Sequence, residues 1–216
     1  MRYRCLIVDH DDTVVNSTAT VHHPCFVEYM KQFPPHYQCT LEEYFVRNFH
    51  GVVEFFRDVV GMTEDQMRHE QDWWNAYVQS HVPQAYPGMA EILWEQKERG
   101  GLLCVVSHSY TANILRDYRE NGLPEPDMAF GWESPPRERK PSPYPVRRIM
   151  ERYGLAPGEM LILDDLKPGY DMARACGVPF AAAGWANDIP EIERFMRDNC
   201  DWYFKTVPEL RAHLFG

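Results

Sequence analysis

The chain has 216 residues, of which 44% are hydrophobic and 25% charged, and this composition excludes collagen-like, coiled-coil and low-complexity proteins. Its net charge of −10 provides no basic surface for DNA or RNA, so we expect no nucleic-acid partner. At roughly 150 residues per domain, the length fits one core domain with a sizeable insert.

The apolar stretches are short. Leu102–Val106 falls far below the roughly 20 residues that span a bilayer. Cys5–Val8 is too short for the apolar region of a secretory signal. The six cysteines are scattered without a CxxC pair, which is typical of reduced thiols rather than of disulfides or a zinc site. We therefore expect a cytoplasmic protein without a membrane partner.

Three runs of branched aliphatic residues predict buried parallel strands, at Cys5–Val8, Leu102–Val106 and Met160–Leu163. Polar residues follow directly after each run. In an open parallel sheet the ligand site lies outside the carboxyl ends of the strands, so these polar residues are expected to share one pocket.

The polar residues concerned are Asp9 after the first run, Ser107 after the second, and the pair Asp164 and Asp165 after the third. Each of them alone has an ordinary interpretation as a cap or turn residue. Their repetition at three strand ends is what indicates a functional site.

Helical segments are predicted between the strands, at Met89–Arg99, Asn113–Glu120 and Tyr144–Tyr153, each followed by a glycine-containing stop signal. Helix and strand therefore alternate from about residue 85 onward. This alternation predicts an α/β fold with a Rossmann-like parallel sheet.

Residues 17–84 differ from the rest of the chain. They contain no comparable aliphatic run but many aromatic residues at helical spacing, broken at Pro34-Pro35, Gly51 and Gly61. We predict a small α-helical domain at 17–84, inserted into a core formed by 1–16 and 85–216. The aromatic residues are interpreted as its packing core rather than as a ligand cage.

The segment from Asp9 to Thr13 places Asp9 and Asp11 two residues apart where the chain leaves the sheet. Two such carboxylates can divide the chemistry, one as a nucleophile and the other as general acid and then base. A dense acidic cluster also requires a counter-charge, for which Mg²⁺ is a common answer. The competing interpretation is an Asp-rich surface turn.

Ser107 and its neighbour His108 offer polar groups at the second strand end, and Lys140 offers a positive charge before a predicted helix. Taken alone, Ser107 is typical of a turn and Lys140 of a solvated loop. Together with the acidic residues they form an ordered set that is more specific than any of its members.

The order of these features resembles the four motifs of the haloacid dehalogenase-like hydrolase superfamily. The motifs are a strand with DxDxT at Asp9, a strand with Ser107, Lys140-Pro-x-Pro, and a strand with Asp164-Asp165. The helical insert looks like the C1 cap of this family, and the chain as a whole is similar to the phosphoglycolate phosphatase and β-phosphoglucomutase group.

The resemblance implies a Mg²⁺-dependent phosphatase that acts on a small phosphorylated metabolite through a phosphoaspartyl intermediate. Asp9 would be the nucleophile, and Asp11 would protonate the leaving alcohol and then activate water. Ser107, His108 and Lys140 would bind the substrate, and Lys140 would also neutralise the transferring phosphoryl group.

The resemblance also implies the metal ligands. Mg²⁺ would be held by Asp9, by the backbone carbonyl of Asp11 and by Asp165, with Asp164 as a direct or water-mediated ligand. No heptad or symmetric patch indicates an oligomeric state.

Three residues depart from the family pattern. Asp12 and Leu166 replace a usual Gly and a common Ser, which puts the local geometry in question. Glu54 replaces the phosphate-holding Arg of the mutase group, so a phosphatase is favoured over a mutase. Among the histidines of the insert, His22, His23 and His50 could reach a substrate, although packed or surface positions are more typical.

The sequence argues against three other functions, which are dehalogenation, phosphonate cleavage and phosphoryl acceptance by a response-regulator domain. The dehalogenase branch lacks the second acid of the first motif, so Asp11 argues against it. The phosphonate-cleaving branch needs a cap lysine, and Lys31 has no matching context. A response-regulator domain would place its Lys after both acidic motifs, whereas Lys140 precedes Asp164. A phosphoryl-accepting or ligand-binding protein without turnover stays as an alternative.

Overall fold

A computed structural model describes all 216 residues. It contains one six-stranded sheet in the order β3-β2-β1-β4-β5-β6, with every neighbouring pair parallel. The strands are β1 (Cys5–Val8), β2 (Leu102–Val106), β3 (Met128–Phe130), β4 (Met160–Asp164), β5 (Phe180–Ala183) and β6 (Trp202–Phe204). The predicted Rossmann-like α/β core is confirmed.

Helices connect the strands and cover both faces of the sheet. They are α5 (Met89–Glu98), α6 (Thr111–Glu120), α7 (Tyr144–Tyr153), α8 (Lys167–Cys176), α9 (Pro190–Asn199) and α10 (Val207–Phe215). The four helices that precede α5 in the chain belong to the insert. Of the predicted helices, that at Tyr144–Tyr153 has the expected bounds, whereas α5 ends one residue early and α6 begins two residues early.

The strands are apolar throughout because the sheet is buried on both faces. Leu6 and Val8 point to one face and pack with side chains of α5, α6 and α10. Cys5 and Ile7 point to the other face and pack with α7, α8 and α9. This two-sided burial fixes β1 in the centre of the molecule and leaves only its carboxyl end free for a site.

The insert is entirely helical. Its elements are a π-helical turn at Thr18–His22, α1 (His23–Gln32), α2 (Leu41–Asn48), α3 (Val52–Glu54), a second π-helical turn at Phe55–Val59, and α4 (Glu64–Val78). Thr40 and Thr63 are the N-cap residues of α2 and α4 and form capping boxes. Each Thr side chain accepts from the backbone N–H three residues on, and the side chain of that residue, Glu43 or Gln66, accepts from the backbone N–H of the Thr.

Aromatic packing forms a separate core in the insert. The buried Phe26 ring lies within 5.2–6.4 Å of the rings of Tyr37, Tyr44, Phe55 and Phe56. The aromatic residues of this segment therefore pack mainly against one another, as the sequence predicted. The exact division into domains at residues 17 and 84 stays a prediction.

The two connections between insert and core run side by side. Val15 forms an antiparallel bridge with Ala85, and the Asn16 N–H donates to the Gln84 carbonyl at 2.9 Å. Arg116 of α6 donates to the carbonyl of Val78, the last residue of α4, at 2.7 Å. These contacts determine where the insert lies relative to the sheet.

None of the helices combines the length and apolar character needed to cross a membrane. All six cysteines are free thiols, and Cys5, Cys25 and Cys104 are buried.

Replacement of Phe26 by alanine should remove the centre of the aromatic core. We expect Phe26→Ala to lower the free energy of unfolding by about 3–5 kcal/mol, as other buried Phe→Ala changes do. Urea denaturation followed by fluorescence and circular dichroism measures this. Val59→Ala, at a site that is 41% exposed, is the control and should change stability by less than about 0.5 kcal/mol. Equal effects of the two variants would contradict a packed aromatic core.

Candidate active site

A buried lysine joins the carboxyl ends of two neighbouring strands. Asp9 directly follows β1, and Asp164 is the last residue of β4. Lys140 Nζ donates to Asp9 Oδ1 at 2.8 Å and to Asp164 Oδ2 at 2.7 Å, and its side chain is only 2% exposed. The interpretation of Lys140 as a solvated loop residue is therefore wrong.

Burial and charge act on this group together. Burial raises the pKa of Asp9 to about 7, with the Lys140 ammonium opposing and Asp164 and Asp11 adding to the rise. Burial works to lower the pKa of Lys140, but the charges of Asp164 and Asp9 raise it above its ordinary value. Lys140 is thus a fixed cation that only partly compensates its acidic neighbours.

A third carboxylate adjoins the pair. Oxygen atoms of Asp9, Asp164 and Asp165 lie within 4.8 Å of one another, and all three residues are buried. Burial raises the pKa of Asp165 well above its ordinary value, with the charge of Asp12 as the next cause. An all-oxygen cluster with excess negative charge fits a hard divalent cation, so these three residues could bind a metal ion.

Two backbone features hold Asp164 in place. The Leu166 N–H donates to Asp164 Oδ1 at 2.9 Å, so the loop is supported although Leu166 has no hydroxyl. Gly169 in α8 lies so close that an added Cβ would be 2.1 Å from Asp164 Oδ2. Only glycine permits this approach without displacing the carboxylate.

Asp11 lies beside this cluster, and its carboxylate is bound by residues of both the core and the insert. Asp11 Oδ2 accepts from Ser109 Oγ at 2.6 Å and from Ser107 Oγ at 3.4 Å. Asp11 Oδ1 lies 2.8 Å from His22 Nε2. Burial works to raise the pKa of Asp11, but His22 and Ser109 lower it far below its ordinary range, so the carboxylate is ionised.

His22 is in turn oriented by Trp74 of α4. The indole Nε1–H donates to His22 Nδ1 at 3.0 Å, and the rings are stacked with centroids 5.7 Å apart. Burial lowers the pKa of His22 and Asp11 raises it, with a net rise. Trp74 and Asp11 therefore hold the two nitrogens of the His22 ring in a fixed orientation.

Asp12 has a structural role. It adopts a left-handed conformation, with φ of 55°, which is normally a glycine position but is also tolerated by Asp. Its Oδ1 accepts from the backbone N–H groups of Ser17 and Thr18 at 3.2 and 3.1 Å. The substitution of the usual Gly therefore keeps the turn and anchors the first turn of the insert.

A cavity of about 140 Å³ lies between this cluster and the insert. It is mostly apolar, and its polar residues come from both sides. Its lining consists of Asp11, Asp12, Thr18, His22, Tyr44, Phe45, Asn48, Val52, Phe56, Glu70, Gln71, Trp74, His108, Ser109, Trp132, Asp165 and Leu166.

His108 lines this cavity, and its Nε2 lies 3.2 Å from the Lys140 carbonyl oxygen. Burial and, secondarily, the Lys140 charge lower the pKa of His108 to about 4, so the ring is neutral at pH 7. In this neutral ring Nε2–H donates to the Lys140 carbonyl oxygen, so Nδ1 can accept a hydrogen bond from a ligand but supplies no charge.

The candidate residues named from the sequence thus converge on one site. Asp9, Lys140, Asp164 and Asp165 form its buried base, and Asp11 with Ser107 and His108 forms its rim. Sequence reasoning missed Ser109 and Trp74, and it gave His22 no specific contact. The insert histidine His50 is exposed and lies outside the cavity.

Comparisons with known proteins identify the family and the fold. The family model of the haloacid dehalogenase-like hydrolases matches residues 6–183. A phosphoglycolate phosphatase from Haemophilus influenzae strain 86-028NP is 27% identical over 156 residues, covering 69% of this chain and 67% of the relative.

Two solved structures show the same fold. A haloacid dehalogenase-like hydrolase from Bacteroides fragilis superimposes with a TM-score of 0.81 at 21% identity, covering 96% of this chain and 99% of that one. CbbY from Rhodobacter sphaeroides in complex with phosphate superimposes with a TM-score of 0.70 at 18% identity, covering 96% of both chains.

The close approach of Gly169 can be tested by metal binding. We expect Gly169→Ala to displace the Asp164 carboxylate and weaken Mg²⁺ binding about 10- to 100-fold, the range found when groups that orient metal ligands are changed. Isothermal titration calorimetry measures this. Gly158→Ala is the matched control because nothing lies within 4 Å of its added Cβ. Unchanged Mg²⁺ affinity in Gly169→Ala would show that Asp164 does not help to hold the metal.

Proposed function

The chain belongs to the haloacid dehalogenase-like hydrolase family, and from this membership we propose that it is a Mg²⁺-dependent phosphatase acting on a small phosphorylated metabolite. One observation carries the proposal. Lys140 lies between Asp9 and Asp164, with the third carboxylate, Asp165, beside them. This places a fixed cation and a metal-capable cluster at a carboxylate that can act as nucleophile.

In the first half of the reaction Asp9 attacks phosphorus. Lys140 is hydrogen-bonded to Asp9 Oδ1, so Oδ2 is the oxygen available for attack. The new bond joins Asp9 Oδ2 to phosphorus while the bond from phosphorus to the leaving oxygen breaks. Asp11 in its protonated form donates the proton that the departing alkoxide requires. Lys140 and Ser107 donate to the phosphoryl oxygens, while His108 can accept a hydrogen bond from another group of the substrate.

In the second half, water attacks the phosphoaspartyl group and releases phosphate from Asp9. Asp11, now ionised, accepts the proton of this water. His22, Ser109 and Ser107 hold the Asp11 carboxylate, and the structure contains it in this basic form. The contacts of Asp11 therefore suit the hydrolytic step best.

Mg²⁺ would be held by Asp9, Asp165 and the backbone carbonyl of Asp11, with Asp164 directly or through water. When bound, it supplies positive charge to the phosphoryl oxygens and offsets the carboxylates. The fit rests on the buried oxygen cluster and on the raised pKa values of Asp9 and Asp165.

The helical insert is proposed to act as a cap at 17–84 that closes over the core site. Support comes from the cavity, whose walls include both core residues and insert residues. Cap closure would exclude water before attack on phosphorus. The six free cysteines are consistent with a cytoplasmic location.

The phosphatase is favoured over the mutase. In the structure Glu54 is exposed and its carboxylate lies against Gly51, where an added Cβ would be 2.3 Å from Glu54 Oε2. Glu54 is not part of the cavity wall and offers no cation to a second phosphate group. No other feature of the cavity favours a bisphosphate.

The nucleophile is tested by hydrolysis of p-nitrophenyl phosphate. We expect Mg²⁺-dependent turnover that stops with chelator and returns when Mg²⁺ is added. Asp9→Asn should lower kcat by roughly three orders of magnitude or more, because the amide cannot form the phosphoenzyme. Asp188→Asn, at a side chain that is 90% exposed, is the control. Full activity of Asp9→Asn would contradict the mechanism.

The contact of His22 with Asp11 gives a second test. We expect His22→Ala to lower kcat about 10- to 100-fold, because Asp11 loses the donor that keeps it oriented and ionised. His22→Gln should recover part of the activity, since its amide can still donate to Asp11. The control is His23→Ala. His23 lies outside the cavity wall, and its Nε2 is hydrogen-bonded to the Cys39 carbonyl oxygen at 3.1 Å. Equal kcat in His22→Ala and wild type would remove His22 from the reaction.

A further inference from the structure

The cavity has an end formed by the insert that the phosphoryl chemistry does not use. Glu70 of α4 lines this end together with Tyr44 and Trp74. Glu70 makes no hydrogen bond and no ion pair, and the only charge that acts on it noticeably is that of His22. No lysine or arginine lines the cavity.

Glu70 is half-buried, and an unpaired carboxylate that is partly removed from water is unfavourable. Burial raises the pKa of Glu70 to about 7, with His22 opposing the rise. His22 is not a full counter-ion for Glu70, because its Nε2 lies 2.8 Å from Asp11 Oδ1 and its charge is shared with that carboxylate. Glu70 therefore lacks a partner within the protein, and a bound cation would satisfy it.

The surroundings of Glu70 suit an ammonium group. The aromatic rings of Tyr44, Trp74 and, on the core side, Trp132 form part of the same wall. Cations are stabilised over aromatic faces, and a carboxylate adds a charge-assisted hydrogen bond. A carboxylate on the ligand would instead meet Glu70 and Asp11 with no basic side chain to pair with.

We propose that the substrate is a phosphomonoester whose leaving alcohol carries a cationic amine, which binds Glu70 at the insert end of the cavity. This inference rests on the proposed phosphatase function and adds the substrate class. A cavity of about 140 Å³ has room for a small amino alcohol, since one water needs only about 10–15 Å³. Phosphoglycolate, the substrate in the name of the Haemophilus influenzae relative, carries a carboxylate and does not fit this chemistry.

The test uses non-hydrolysable phosphonates as competitive inhibitors of p-nitrophenyl phosphate hydrolysis. Two- and three-carbon phosphonates that end in an ammonium, a hydroxyl or a carboxylate differ only in the group presented to the insert. We expect the ammonium compound to inhibit wild type about 10- to 100-fold more tightly than the hydroxyl compound, the range for a hydrogen bond to a charged group. The carboxylate compound should be the weakest.

Two variants assign this preference to Glu70. In Glu70→Gln, which keeps the shape, the ratio of the ammonium to the hydroxyl inhibition constant should approach one. In Glu70→Lys the order should reverse in favour of the carboxylate compound. Glu64→Gln, at a carboxylate of the same helix that is 88% exposed, should keep all the wild-type ratios.

The outcomes separate the proposed substrate class from the proposed phosphatase function. Equal inhibition of wild type by the three compounds, or an ammonium preference that survives in Glu70→Gln, overturns the substrate class and leaves the phosphatase intact. Absence of any turnover of p-nitrophenyl phosphate overturns the proposed function. In that case calorimetric binding of the same phosphonates in the presence of Mg²⁺ still decides whether Glu70 selects an ammonium group.

Discussion

The bridge formed by the Lys140 ammonium between Asp9 and Asp164 is the contact on which the site depends. The sheet order places β1 beside β4, at the point where the chain changes from one side of the sheet to the other. Ligand sites of open α/β sheets lie at such switch points. Here the two strands bring two carboxylates together in a buried place, and without a cation between them neither could stay ionised there.

The same constraint explains why the site requires more than Lys140. One ammonium is shared by two carboxylates, and Asp165 has only the Thr13 hydroxyl as a hydrogen-bond donor, at 3.3 Å. Burial is the main cause of the raised pKa values of Asp9 and Asp165, and the charges of neighbouring carboxylates add to the rise. A divalent cation at this cluster would remove the excess negative charge, and an incoming phosphoryl group would then meet positive charge rather than a negative cluster.

Much of the core could be predicted from the sequence, because β1, β2 and β4 are runs of branched aliphatic residues with a polar residue at the end. The other strands lacked that signal. Each of β3 and β6 has three residues, and β5 is Phe-Ala-Ala-Ala. Asp9 and Lys140, 131 positions apart, were assigned to one site only through the order of motifs.

The contacts of the insert could not be predicted in this way, because they depend on how α4 and the first π-helical turn lie over the core. His22 is 11 positions from Asp11 and 52 from Trp74, and no periodicity connects the three.

In the proposed function the insert would contribute twice: His22 would orient Asp11, and Glu70 would bind the far end of the ligand. A substrate that pairs with Glu70 would stabilise the closed insert, which also brings His22 to Asp11. Specificity and catalysis would then be coupled through one movement, as in enzymes in which correct binding completes the site. Electrostatics favours the same substrate class, since a phosphate would lie near the Lys140 ammonium below the cavity and an ammonium near the unpaired Glu70 in its wall.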